Sequence, residues 1–205
     1  MRVNVERAQF AKKVERQNEQ KDELVQYAIS LGCFACRNKF RFGKKRLDRL
    51  IRGMFREITD YYEHYGGNPE EGLNPENVPT LYYGLRNQVK CLDIPVEEIE
   101  AKFALSEDFE REYRNPSDRA TRKARYDFVM TLEKVTRSMW YAMILHLWHY
   151  YGNGGVVLTS LYKQIQWNWS NTMESYLTCK KRYDEVFATA IAGAIKDVKD
   201  LGIEF

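Results

Sequence analysis

Apolar residues return at steps of three and four along most of the chain, which is the spacing of one helix face and not the alternation of a strand. Between residues 4 and 39, Phe10, Ala11 and Val14, then Leu24, Ala28, Leu31 and Phe34, predict one long helix or two consecutive ones. Residues 40–43 break the pattern. Leu47, Ile51, Met54, Phe55, Ile58 and Tyr62 then form the stripe of an amphipathic helix that ends at Gly66 and Gly67. Pro69, Pro75 and Pro79 punctuate the next stretch as a loop. Shorter helices are predicted around Leu81 to Leu92, from Pro95 with Glu97 and Glu98 in its first turn, and from Ser106 to Pro116.

The longest pattern runs from Ser117 to Tyr151, with Phe128, Leu132, Val135, Met139, Met143 and Leu147 on one stripe. After the glycine-rich turn at residues 152–155, helices are predicted from Leu158 to Tyr176 and from Tyr183 to Leu201. The last carries Val186, Phe187, Ala190, Ile191, Ala194 and Val198, a narrow face for close packing. These elements predict an all-α fold, a multi-helix bundle of about seven helices. One domain over residues 1–205 is expected, with an alternative division into halves 1–66 and 117–205 joined by 67–116. A shift of 114 positions lays Tyr27, Ala28 and Leu31 over Tyr141, Ala142 and Leu145, and Leu47 and Ile51 over Leu161 and Ile165. That register raises an internal duplication, although any two amphipathic helices align by period alone.

Composition narrows the class without supplying a function. With 205 residues, 44% hydrophobic and 14% aromatic, the chain can bury a core without disulfides. Charged residues of both signs are interspersed and the net charge is only +3, which excludes a histone-like tail or an acidic disordered protein. Any charge-driven binding must therefore come from local clustering. The run Met139 to Leu147 is too short to cross a bilayer, which takes roughly 20 apolar residues, so no membrane association is expected. Four cysteines with no signal-peptide pattern ahead of them point to a reduced, cytoplasmic setting.

Clustering occurs at residues 37–56. Lys45, Arg49, Arg52 and Arg56 fall at steps of four, three and four, opposite the apolar stripe, and Asp48 and Glu57 are expected on the flanks. Arg37, Lys39, Arg41 and Lys44 extend the charge into the preceding segment. Such a row suits a phosphate backbone, where each neutralised phosphate releases counterions, or an acidic protein surface. The bland alternative is a solvated polar face, which every amphipathic helix needs. A second basic run at Arg111, Arg114, Arg119, Arg122, Lys123 and Arg125 is diluted by Glu110, Glu112 and Asp118 and reads as that bland face.

Other constellations are weaker. Cys33 and Cys36 form a C-x-x-C, and His146 and His149 an H-x-x-H, which together offer four ligands for zinc. Both pairs lie on apolar helices, where buried cysteine is ordinary packing material, and no metal or cofactor is expected. Residues 152–155 lack the lysine and hydroxyl of a phosphate-binding loop. The three histidines have no nucleophile or carboxylate at motif spacing, so no catalytic residue is assigned. Glu97, Glu98 and Glu100 read as an acidic helix start. In the pairs Tyr61–Tyr62, Tyr82–Tyr83 and Tyr150–Tyr151, neighbouring rings point to different faces, so one of each is expected at the surface, where it can stack on a base or anchor an interface.

At residues 40–47, Phe-Arg-Phe-Gly-Lys-Lys-Arg-Leu between two helices, the chain resembles small helical proteins encoded by bacteriophages and prophages of Gram-positive bacteria. Those carry a Phe-Gly-Phe-Gly-Lys-Lys-Arg-Leu-like turn. The resemblance spans residues 24–62 and departs at Arg41, where that family usually has glycine. It implies a phage origin and the cytoplasm of a host bacterium, and no activity. Two functions then compete: an accessory factor that lays the cationic face on nucleic acid, and a counter-defence inhibitor of the anti-CRISPR sort that occupies an acidic surface of a host protein. An enzyme ranks behind both.

Overall fold

The structure is a computed structural model that describes residues 25–65, 78–104, 119–178, 192–193, 195–196, 198–200 and 202. The chain is an all-α multi-helix bundle. Residues 25–40 form α1, followed by α2 (Lys44–Tyr65), α3 (Val78–Lys90), α4 (Val96–Lys102), α5 (Arg119–Tyr151) and α6 (Gly155–Thr178). The predicted elements at residues 4–23 and 106–116 lie outside the described residues, as does most of the last one, of which Ile195 and Val198 are buried.

The centre is α5. Every residue from Val135 to Leu147 is buried, including those off the predicted stripe and the polar Thr136, Arg137, Ser138 and His146, because neighbouring helices enclose this stretch on all sides. It packs against α2 and α3, and its Trp140 indole donates to the Ala28 carbonyl of α1 at 2.9 Å. Gly152, at φ +63°, ends α5 by donating its N–H to the Trp148 carbonyl at 3.2 Å, a left-handed cap that suits glycine.

On α2 the buried residues are Leu47, Leu50, Ile51, Gly53, Met54, Ile58, Tyr61 and Tyr62. Gly53 sets how closely α5 approaches, since the His146 ring fills the space where a Cβ would stand. Three expectations are corrected here. Phe34 and Phe55, counted into apolar stripes, are exposed, because they sit at the edges of their helices' buried faces. Tyr61 and Tyr62 are both buried: α3 covers the side of α2 that carries Tyr61, whose hydroxyl donates to the Thr80 carbonyl at 3.2 Å. Pro79 belongs to the first turn of α3 and not to a loop, which costs nothing because the first turn needs no N–H from it. In the other two tyrosine pairs one ring is exposed as expected, Tyr83 and Tyr150.

Candidate anionic-partner interface

The buried stripe of α2 rotates its opposite face outward. Lys45, Arg49, Arg52 and Arg56 are all exposed, as are Arg37 at the end of α1, Arg41 in the break and Lys44 at the start of α2. Arg49 has no ion pair among the described residues. The acid-free row expected from the sequence is modified at two points: Asp48 reaches Arg52 at 3.0 Å across one helical turn, and Asp60 and Glu57 lie within electrostatic reach of Arg56. The Asp48–Arg52 pair is a surface one, with the Arg52 side chain 78% exposed, and contributes about 0–1 kcal/mol. The Arg52 guanidinium therefore stays open to a stronger anion. Lys39 is half-buried and donates to the exposed Ser160 hydroxyl of α6 at 2.7 Å.

Two features of this surface run against stability. The first turn of α2 has no acidic residue and carries Lys44, Lys45 and Arg46, cations at the positive end of the helix dipole. Arg41 holds φ +55°, the left-handed region that favours glycine.

Beside the row stands the last turn of α5. The Arg56 guanidinium donates to the Tyr150 hydroxyl at 3.4 Å, and Glu57 meets Nδ1 of His149 at 3.0 and 3.1 Å. Nδ1 of His146 lies 3.8 Å from the same carboxylate, and its ring stacks on Tyr150 with centroids 4.5 Å apart. Arg46 covers the Phe42 ring, which in turn packs on Tyr151. Comparisons with protein-family models, with curated proteins and with solved structures find no match for this chain. The geometry alone therefore carries the functional argument.

The C-x-x-C and H-x-x-H do not converge. Cys33 and Cys36 are buried in α1, and burial pushes the Cys33 thiol up to about 12 and Cys36 well above its ordinary value, so both are unreactive packing groups. Among the described residues no group of three His, Cys, Asp or Glu is placed to hold a metal ion.

Burial holds the His146 imidazole below its ordinary pKa; Glu57 opposes this, and Arg56 and His149 add to it. The folded chain thus binds a proton there less readily than the unfolded chain, whose histidine titrates near ~6.5. Stability is complete above that pH and falls as the pH drops below it. In denaturant titrations at successive pH values, His146→Gln should remove part of this acid-side loss; an identical loss in the variant would reassign it to other groups.

A polar cluster that the sequence did not reveal lies away from this surface. Glu100, read from the sequence only as part of an acidic helix start, is buried. One of its carboxylate oxygens accepts from the Tyr141 hydroxyl and from the Tyr162 hydroxyl at 3.1 Å; the other accepts from Nε and Nη2 of Arg86 at 3.2 and 2.9 Å. Gln166 donates to the Tyr162 hydroxyl at 2.8 Å, and Arg137, paired with Glu133 at 2.5 Å, lies 3.9 Å from Glu100. Burial raises the Tyr141 and Tyr162 hydroxyls far above their usual range, so both stay protonated donors. The cluster joins α3, α4, α5 and α6 as a clamp, with Arg137 Nε and Gln166 Oε1 buried in it without a hydrogen-bond partner among the described residues.

Proposed function

We propose that this chain is a non-enzymatic accessory protein of a phage or prophage that binds nucleic acid through the cationic face of α2. The observation that carries the reading is the outward row Lys45, Arg49, Arg52 and Arg56, continued by Lys44, Arg41 and Arg37, with Asp48 paired to Arg52 and Asp60 and Glu57 near Arg56 but no ion pair to Arg49 among the described residues. The Arg41 backbone adds support, because keeping arginine there costs about 1–2 kcal/mol that glycine would avoid. Three cations in the first turn of α2 point the same way: an anion brought to that surface relieves their repulsion.

Fluorescence anisotropy with labelled oligonucleotides at low salt tests the reading. Saturable binding is expected, and its absence for every nucleic acid tried would end the proposal.

The exposed rings of Phe34, Phe55, Trp148 and Trp167 favour a second reading, a counter-defence inhibitor docked on a host protein, since buried aromatic anchors dominate such interfaces. A pull-down from nuclease-treated host lysate distinguishes the two. A partner retained after nuclease treatment, and lost on reversing the α2 charges, supports the inhibitor; no retained partner sinks it.

A further inference from the structure

We infer that the nucleic acid taken by this surface is single-stranded, and that Tyr150 is the ring on which one of its bases stacks. The inference rests on the nucleic-acid reading and adds to it the class of strand.

Tyr150 is the exposed aromatic fixed against the cationic row. Tyr150 is 57% exposed, yet its ring lies against the His146 ring, with centroids 4.5 Å apart at a 35° tilt, and its hydroxyl accepts from the Arg56 guanidinium at 3.4 Å. His146 is itself wedged against Gly53 of α2. An exposed tyrosine on the last turn of a helix ordinarily moves among rotamers; here its position is set by contacts on both elements, so little ordering cost remains when a ligand ring lands on it. Arg56 is at once a member of the phosphate-contacting row and the group that orients the ring. A strand whose backbone follows Arg49, Arg52 and Arg56 therefore brings its bases alongside Tyr150.

A duplex has no use for this ring. Its base faces are stacked internally and it presents phosphates and groove edges, so it is bound by the cations alone. A single strand offers both phosphates and free base faces, and stacking on an aromatic tolerates any sequence. RNA and DNA single strands share this chemistry, and parallel titrations with each of the same sequence identify the source.

The test compares a labelled single strand of about 16 nucleotides, long enough for one site, with its duplex form. The single strand is expected to bind more tightly. Tyr150→Ala should weaken single-strand binding by roughly 5- to 150-fold and duplex binding much less, with the salt slope unchanged, whereas Tyr150→Phe, which keeps the ring and its His146 contact but loses the Arg56 bond, should fall between the parent and Tyr150→Ala. Circular dichroism of both variants confirms that the fold persists. Equal affinity for the two forms, or a Tyr150→Ala loss that is the same for both, overturns this inference and leaves the nucleic-acid reading standing. No binding of either form at low salt overturns both.

Discussion

Truncating Glu100 to alanine is expected to lower stability by about 3–5 kcal/mol, the cost of removing one partner from a buried charge pair. Arg86 would lose both of its bonds to the Glu100 carboxylate and keep only its exposed contact with Glu97 at 3.2 Å. The Tyr141 and Tyr162 hydroxyls would lose their acceptor in a region from which water is excluded, and each stranded donor adds to the penalty. For a chain of this size the loss corresponds to a fall in melting temperature of roughly 6–20 °C. Glu100→Gln keeps an oxygen for one set of donors and should fall in between. Thermal denaturation followed by circular dichroism measures both. A change below about 1 kcal/mol for the alanine variant, the range of an exposed pair, would mean the cluster does not clamp α3, α4, α5 and α6 together.

Reversing Arg49 and Arg52 to glutamate has the opposite signature, with a fold left intact and binding lost. Both side chains are exposed and neither supports the core, so the melting temperature should move little. Two cations become two anions in the middle of the contact row. Like-charge juxtaposition across an interface costs several kcal/mol, which is at least roughly 100-fold in affinity. Binding by the double variant within a few-fold of the parent would show that the row is a solvated face and nothing more.

How far such features can be read from sequence depends on how local their causes are. The α2 helix was legible because one stripe, Leu47 to Ile58, fixes both its existence and its rotation, and with its rotation the outward direction of Lys45, Arg49, Arg52 and Arg56. The Asp48–Arg52 pair is equally local, four residues apart, and is the natural outcome of that spacing. Glu100 was not legible. Its neighbours in sequence describe an acidic first turn, and its burial comes from Arg86, Tyr141 and Tyr162, brought together only by the packing of three other helices. Tyr150 belongs to both kinds. Its exposure follows from the pairing with Tyr151, whereas its orientation by His146 and Arg56 requires α2 and α5 to meet at Gly53. The misreading of Pro79 was of a third sort, because proline punctuates loops and helix starts alike.

The measurement that bears most directly on the proposed interface is the salt dependence of binding. If Lys45, Arg49, Arg52 and Arg56 each neutralise one phosphate of a single strand, log K should fall linearly with log salt at a slope of about −3, a loss of roughly 50-fold between about 50 and 200 mM. An affinity indifferent to salt over that range would contradict an electrostatic contact through α2.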